Sequence, residues 1–374
     1  MRSRPKPAAK KILVIRYRFI GDTILTVPFL RNLRKAYPDA QIDVLVGPQS
    51  GEVLEGCPYI NKLIVFDTTR FHKYDKGAGE KKSFWSYVSS LRQEQYDTTF
   101  ILKRSWSSAL LALLIGARTR VGYATEGRQI LLTHSIKHDP HMHEVDSTLT
   151  VLECAGIPIG DRYLESWVSG DEQNQIESLA KFAQEDNEKR RVLIHAAAAH
   201  PDKLYPLESW VEIVQILAAQ NFLPVFTGAE QDVELYKKLE ELSGIKGLNL
   251  AGKLSLRLSM ALYSNLDLAI CTDSGPAHLA AAAGIPTIAL FGPTDPVRWR
   301  PYTALASKRT MSSAQGQRSL LCENEAVYIE DLPCRPCNYH KTCTDRPCLK
   351  ELSAGVVVKR ALELLQRTIH PSSR

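Results

Sequence analysis

No segment of this 374-residue chain is an uninterrupted apolar run of membrane-spanning length, because the most apolar stretches are broken by Asp267, Asp273, Pro276 and Pro286. A soluble protein is expected. There is also no G-x-G-x-x-G and no G-x-x-x-x-G-K-[ST] loop, which argues against a standard dinucleotide fold and a P-loop ATPase. Charge of one sign is barely in excess: 47 Lys and Arg against 41 Asp and Glu leave a net charge of +6. That suits phosphorylated ligands or an anionic membrane surface but is too weak to indicate nucleic acid, for which no signature is present. A secretory signal is not expected either. Residues 1–11 are basic and contain proline, but the apolar segment after them is cut by Arg16 and Arg18 and lacks a cleavage site. The eight cysteines are therefore expected to meet a reducing cytoplasm, where disulfides are not the default.

What is present is a repeated strand–turn–helix grammar. Residues 11–17 form a β-rich apolar run, and after Arg18-Phe19-Ile20-Gly21-Asp22-Thr23 a helix buries Ile24, Val27, Leu30 and Leu33 at helical spacing. Strands at 42–46, 62–66 and 98–102 and helices near 84–93, 107–115 and 145–154 continue the first half. Residues 163–169 read as an extended crossing. The second half restarts with strands at 192–196 and 223–227 and helices at 207–219, 233–242 and 256–263. It closes on an apolar run to Cys271, the turn Thr272-Asp273-Ser274-Gly275-Pro276-Ala277-His278, an Ala-rich helix, and a strand over 286–291. Pro276 suits the first turn of that helix and Gly284 its C-terminal end. The pattern predicts an α/β protein of two Rossmann-like domains facing across a cleft: 1–165, then 166–355, with a last amphipathic helix over 356–374 that either domain can take. Ligands in such folds sit beyond the C-terminal ends of strands, which directs attention to five turns: 16–23, 197–203, 227–231, 273–278 and 292–295. The N–H groups and dipole at the start of the helix after Asp273 make that turn a phosphate site.

These motifs resemble the ADP-heptose:lipopolysaccharide heptosyltransferases, glycosyltransferase family nine. The resemblance rests on Gly21-Asp22 after the first strand, on Asp202-Lys203 before Tyr205-Pro206 and Trp210, and on Thr227-Gly228-Ala229-Glu230. It rests most on the Thr272–His278 turn, with Phe291-Gly292-Pro293-Thr294-Asp295-Pro296 following in the same order. It implies a GT-B fold with an N-terminal acceptor-binding domain, a C-terminal nucleotide-sugar-binding domain, and an inverting transfer with no required metal. By motif position, Asp22 matches the general base and Lys203 a residue near the donor diphosphate. Glu230 matches a residue near the nucleoside ribose, Thr227 and Gly228 are donor-binding with it, and Asp273, Ser274, Gly275, Pro276 and His278 match the donor phosphate loop. Read without the resemblance, Asp22 is a helix N-cap, Asp273 a strand-end brace, His278 a buried hydrogen-bonded histidine and Glu230 an acid at a helix start.

Arg16, Arg18, Lys103 and Arg104 lie at strand exits of the first half, where they can hold acidic or phosphorylated groups of a lipid-linked saccharide acceptor; solvated surface charge is the plainer reading. Variable loops at 70–83 and 303–333 are assigned to the acceptor side. His141-Met142-His143-Glu144 is set aside as a metal site, because His141 and His143 cannot share a helical face. Cys334, Cys337, Cys343 and Cys348 have a spacing compatible with a structural zinc loop, weighed against free thiols; no cofactor is otherwise expected. The expected protein is a cytoplasmic glycosyltransferase, in peripheral contact with the inner membrane if its basic excess engages lipid. A GT-B nucleotide-sugar epimerase and a non-catalytic sugar-nucleotide-binding protein are the competing readings.

Overall fold

The computed structural model describes residues 8–17, 19–67, 83–181, 189–303, 310–313, 316–319, 323–339 and 343–369. The chain divides into two compact units, Met1–Trp167 and Val168–Arg374.

The first unit is built on β1 (Lys11–Ile15), whose Ile12, Leu13, Val14 and Ile15 are all fully buried. An unbroken apolar run of this kind marks a parallel strand covered on both faces. After it come α1 (Ile20–Ile24), α2 (Val27–Ala36), β2 (Gln41–Val46), β3 (Lys62–Val65), α3 (Phe84–Gln93), β4 (Thr98–Ile101), α4 (Trp106–Leu114), β5 (Thr119–Tyr123), β6 (His134–Ile136) and α5 (Glu144–Cys154). The six strands are parallel in the order β3-β2-β1-β4-β5-β6. The chain leaves β1 towards β3 on one side, then returns beside β1 at β4 and leaves the other way. The strand order therefore reverses between β1 and β4, where Ile15 lies opposite both Leu45 and Ile101.

The single helix expected after Thr23 is two helices, and the first begins earlier, at Ile20. Pro28 is the reason for the break, since it has no N–H to continue the ladder to the Ile24 carbonyl. The buried face of Ile24, Val27, Leu30 and Leu33 is as the spacing predicts. Of the loop read at 70–83, only Ser83 is described; it caps α3 by accepting from Ser86 N at 3.1 Å.

The second unit repeats the plan. Its elements are α6 (Gly170–Lys181), β7 (Arg190–His195), α7 (Leu207–Ala219), β8 (Phe222–Phe226), α8 (Val233–Ser243), β9 (Leu248–Asn249), α9 (Leu256–Tyr263), β10 (Leu268–Thr272), α10 (Gly275–Ala282), β11 (Thr287–Leu290), α11 (Pro296–Trp299), the antiparallel pair β12 (Thr310–Ser313) and β13 (Gly316–Ser319), β14 (Asn324–Val327), α12 (Pro347–Lys350) and α13 (Ala354–Ile369). The main sheet is parallel, in the order β14-β11-β10-β7-β8-β9, and reverses between β7 and β10. The described part of 303–333 lies in this unit rather than in the first, and β14 within it is the sheet's edge strand. Its residues are mostly half-buried, so no apolar run announced it.

The last helix belongs to this unit's core. Val357, Val358, Ala361, Leu364 and Leu365 of α13 join Trp210, Ile213, Val214 and Leu217 of α7 in one buried cluster. Among the described residues no helix is long and apolar enough to cross a membrane. Leu364→Ala is expected to lower the stability of the second unit by ~2–5 kcal/mol. Val356→Ala, at a position that is 49 % exposed, should change it by about 0.5 kcal/mol or less. Urea unfolding followed by circular dichroism distinguishes them, and equal effects would mean that α13 is not seated through Leu364.

Candidate active site

In the first unit the polar residues gather where the sheet reverses. Arg16 follows the last residue of β1 and is only 3 % exposed. Its Nη1 donates to the Leu102 carbonyl just past β4 at 3.2 Å, and its Nε to the Asp22 carbonyl at 3.2 Å. Its Nη2 donates to Asp22 Oδ1 at 3.0 Å and to Glu144 Oε1 at 2.8 Å. Glu144, the first residue of α5, is fully buried, and its other oxygen accepts from Arg104 Nη2 at 2.6 Å. Two arginines thus meet two carboxylates beyond the ends of β1 and β4. Burial alone would lower the Arg16 pKa, but the nearby Asp22 and Glu144 charges prevail and raise it above its ordinary value.

Asp22 sits in the first turn of α1 and is buried. The N-cap is Phe19, so Asp22 does not cap this helix. Lys103 Nζ lies 4.0 Å from the centroid of the Tyr17 ring, a cation–π contact. Arg16, Arg104, Lys103 and Asp22 therefore share one end of the sheet, while Arg18 lies outside the described residues.

The second unit has a matching arrangement at its own reversal. Thr272, the last residue of β10, donates from Oγ1 to the Ala197 carbonyl past β7 at 2.6 Å. Lys203 closes a 3-10 turn, Pro201–Lys203, whose start is capped by His200 Nδ1 accepting from Asp202 N at 3.2 Å. Its ammonium donates to the Asp273 carbonyl at 2.9 Å and pairs with Asp273 Oδ2 at 2.7 Å. The Thr294 hydroxyl donates to the same carboxylate oxygen. Asp273 so ties together the exits of β7, β10 and β11.

Ser274 is the N-cap of α10 and turns its hydroxyl back to the Thr272 carbonyl at 3.2 Å. Gly275 and Pro276 open the helix, and Gly284 past its end has φ +80°. His278 is buried one turn in. At the exit of β8, the Thr227 hydroxyl is buried 3.4 Å from His195 Nδ1 and 3.3 Å from the Tyr263 hydroxyl. A Cβ on Gly228 would lie 2.8 Å from Asp232 Cβ, so only glycine lets Asp232 reach back to Ala229 N at 2.8 Å. Gly252, at φ +71°, lies against the Glu230 side chain, where any Cβ would collide with the Glu230 carboxylate. The residues that follow β7, β8 and β10 thus occupy one end of one sheet.

A model of glycosyltransferase family 9 (heptosyltransferase) matches residues 84–325, more than half of the chain. The chain belongs to glycosyltransferase family 9. Lipopolysaccharide heptosyltransferase 3 of Escherichia coli K12 is 31% identical over 76% of this chain and 83% of its own length. The lipopolysaccharide core heptosyltransferase OpsX of Haemophilus influenzae is 26% identical over 80% of this chain and 83% of its own. The solved structure of E. coli ADP-heptose lps heptosyltransferase II covers 96% of this chain and 99% of its own at a TM-score of 0.70 and 22% identity, which shows the GT-B fold.

This family 9 glycosyltransferase also places residues at the site that its sequence did not single out. Glu144 is one, inside the His141–Glu144 run set aside as a metal site; His143 instead caps α5, accepting from Val145 N at 3.1 Å. Tyr339 is another, with its ring 4.2 Å from His200 and its hydroxyl pKa raised by burial first and by Asp273 and Asp202 next. The loop that carries it is anchored here by Arg335 Nε to the Gly292 carbonyl at 2.8 Å and Arg346 Nη1 to the Pro201 carbonyl at 2.6 Å. In that loop Cys334 and Cys343 are exposed, Cys337 is half-buried and Cys348 is buried. Among the described residues no three His, Cys, Asp or Glu are gathered as a metal-ion cage.

Burial pushes the His195 pKa down to about 4, against smaller raising effects of Asp232 and Thr227. The unfolded chain, near 6.5, then binds the proton that the native state refuses, so stability falls as pH drops from about 6.5 towards 4. Replacing His195 by Gln is expected to shrink the stability difference between pH 7.5 and pH 5 by about 2 kcal/mol. Denaturant titration at the two pH values measures it; an unchanged difference would show that His195 does not titrate this way.

Proposed function

We propose that this chain transfers heptose from ADP-heptose to a lipopolysaccharide core or related lipid-linked glycan, with inversion at the anomeric carbon and without a required metal ion. The observation that carries the reading is the double clustering at strand-order reversals: Asp22 beside Arg16 in the first unit, and Lys203 on Asp273 beside Ser274 and Gly275 in the second. The named chemistry of the E. coli and H. influenzae relatives supports the donor and the acceptor class.

In this reading Asp22 accepts the proton of the acceptor hydroxyl. The hydroxyl oxygen forms the new bond to the anomeric carbon on the face opposite the diphosphate. The old carbon–oxygen bond breaks, and its electron pair leaves with ADP. The transition state resembles an oxocarbenium ion. The charge that grows on the leaving group is met by Lys203 and by the N–H groups opening α10, which removes the need for a metal. Glu230, held against Gly252, takes the ribose hydroxyls, and Lys103 with Arg104 contributes to acceptor binding. A lipid-linked acceptor places the reaction at a membrane surface, to which a net charge of +6 is suited.

Lys203→Ala is expected to lower kcat by the equivalent of ~2.7–4 kcal/mol, the cost typical of losing one donor to a developing anion. Asp22→Asn should abolish turnover while donor binding persists. The assay offers ADP-heptose, UDP-sugars and GDP-sugars separately, each with and without a truncated lipid acceptor. Free sugar released without acceptor would support an epimerase instead, and binding without turnover a sensor. Turnover by Asp22→Asn near that of the parent would remove Asp22 as the base.

A further inference from the structure

A carboxylate held by an arginine is stabilised as an anion and is a correspondingly weaker base. Arg16 holds Asp22 through both its carboxylate and its carbonyl. The same guanidinium nitrogen, Nη2, also donates to Glu144, and that bond is the shorter of the two. Glu144 is fully buried, so its charge acts across protein rather than water.

We propose that Glu144 is a positioning residue for the transfer: by sharing Arg16 with Asp22 it keeps the Asp22 carboxylate aimed to take the acceptor proton. The inference rests on Asp22 being the base. Glu144 comes from α5, Arg16 from the exit of β1 and Arg104 from the exit of β4, so three separate elements set the balance. Among the described residues, other titratable groups lie around it. Tyr123 of β5 accepts from Ser147 Oγ at 3.1 Å and feels Glu144, Arg104 and Arg16. His138 packs edge-on to Tyr123 at 5.4 Å, and His143 precedes Glu144 as the cap of α5. Arg128, further along, is bonded to the Lys103, Ser105 and Tyr123 carbonyls. Arg104 works against Glu144, because the charge it neutralises is charge that Arg16 no longer sees.

The arrangement predicts shifts of opposite sign. Glu144→Gln removes a neighbouring anion and leaves Arg16 to Asp22 alone. The acid limb of the kcat profile should move down by about half a pH unit or more, and kcat at its plateau should fall about tenfold or more, with the donor KM nearly unchanged. Arg104→Gln returns the full Glu144 charge to Arg16 and should move the same limb up. Glu144→Asp, which keeps the charge, should restore most of the parental profile. The measurement is steady-state kinetics of the full chain from pH 5 to 9, with ADP-heptose and a truncated lipid acceptor, and thermal unfolding of each variant alongside. Limbs that stay in place while unfolding temperatures drop would reduce Glu144 to a structural brace and overturn the inference. If Glu144→Gln fails to fold, the sign of the Arg104→Gln shift decides alone, and a limb that stays or moves down overturns it. Asp22→Asn separates the two levels. Activity retained there defeats the base assignment itself, whereas activity lost there with unmoved Glu144→Gln and Arg104→Gln limbs defeats only the role of Glu144.

Discussion

One cation bridges the strand-order reversal of each sheet, and both arrangements of functional residues hang from these two bridges. Arg16 ties the exit of β1 to the Leu102 carbonyl past β4 and gathers Asp22 and Glu144 on the way. Lys203, arriving after β7, is tied to Asp273 past β10 by its carbonyl and its carboxylate. The two cations differ in a way that matches the work proposed for them. Arg16 is sealed in and bonded through all three guanidinium nitrogens, with two carboxylates rather than one compensating its buried charge. Lys203 keeps 21% of its side chain exposed on a flexible stem. A compact ammonium in that setting can turn from a carboxylate towards a phosphate without dismantling the fold around it.

The parallel sheets explain why the chemistry has nowhere else to go. With helices on both faces, the interiors of β1 and β10 admit almost no polar side chain, and Ile12–Ile15 and Leu268–Thr272 are buried without exception. The first positions at which the chain can turn a charge towards a ligand are the residues just beyond the strand ends. Neighbouring strands diverge most where their order reverses, so the charged side chains of two exits meet there without a helix between them. Thr272, bonded to the Ala197 carbonyl, pins that meeting point in the second unit.

Much of this was legible in the residues, for physical reasons that also explain what was not. The helices Phe84–Gln93, Leu207–Ala219 and Leu256–Tyr263 agree with the expected bounds at both ends, since each has an apolar periodicity and two have an N-cap serine that accepts from the N–H three residues on. β5, β6, β9 and β14 carried no such signal: they are short or half-buried, and they owe their strand state to a neighbour rather than to an apolar run. The site shows the same division. Asp22, Lys203 and Asp273 are marked by turns close to them in sequence. Glu144 acts on Arg16 from 128 residues away, and only the return of α5 beside the β1 exit creates that contact.

The C-terminal loop braces the polar cluster of the second unit. Asp273 accepts from Lys203 and from Thr294, so its position depends on the β11 exit as well as on its own turn. That exit is itself shaped from below, since a Cβ on Gly292 would lie 2.8 Å from Leu349 Cδ1. Leu349 follows Cys348 in α12, and the same loop anchors Arg335 on the Gly292 carbonyl and sets Tyr339 over His200. The cysteine-bearing loop is therefore part of what fixes the end of the second unit where Lys203 and Asp273 meet, whatever the state of its thiols. A change there reaches Asp273 through Gly292 and Thr294, and Lys203 through the turn that His200 caps, before any ligand is touched.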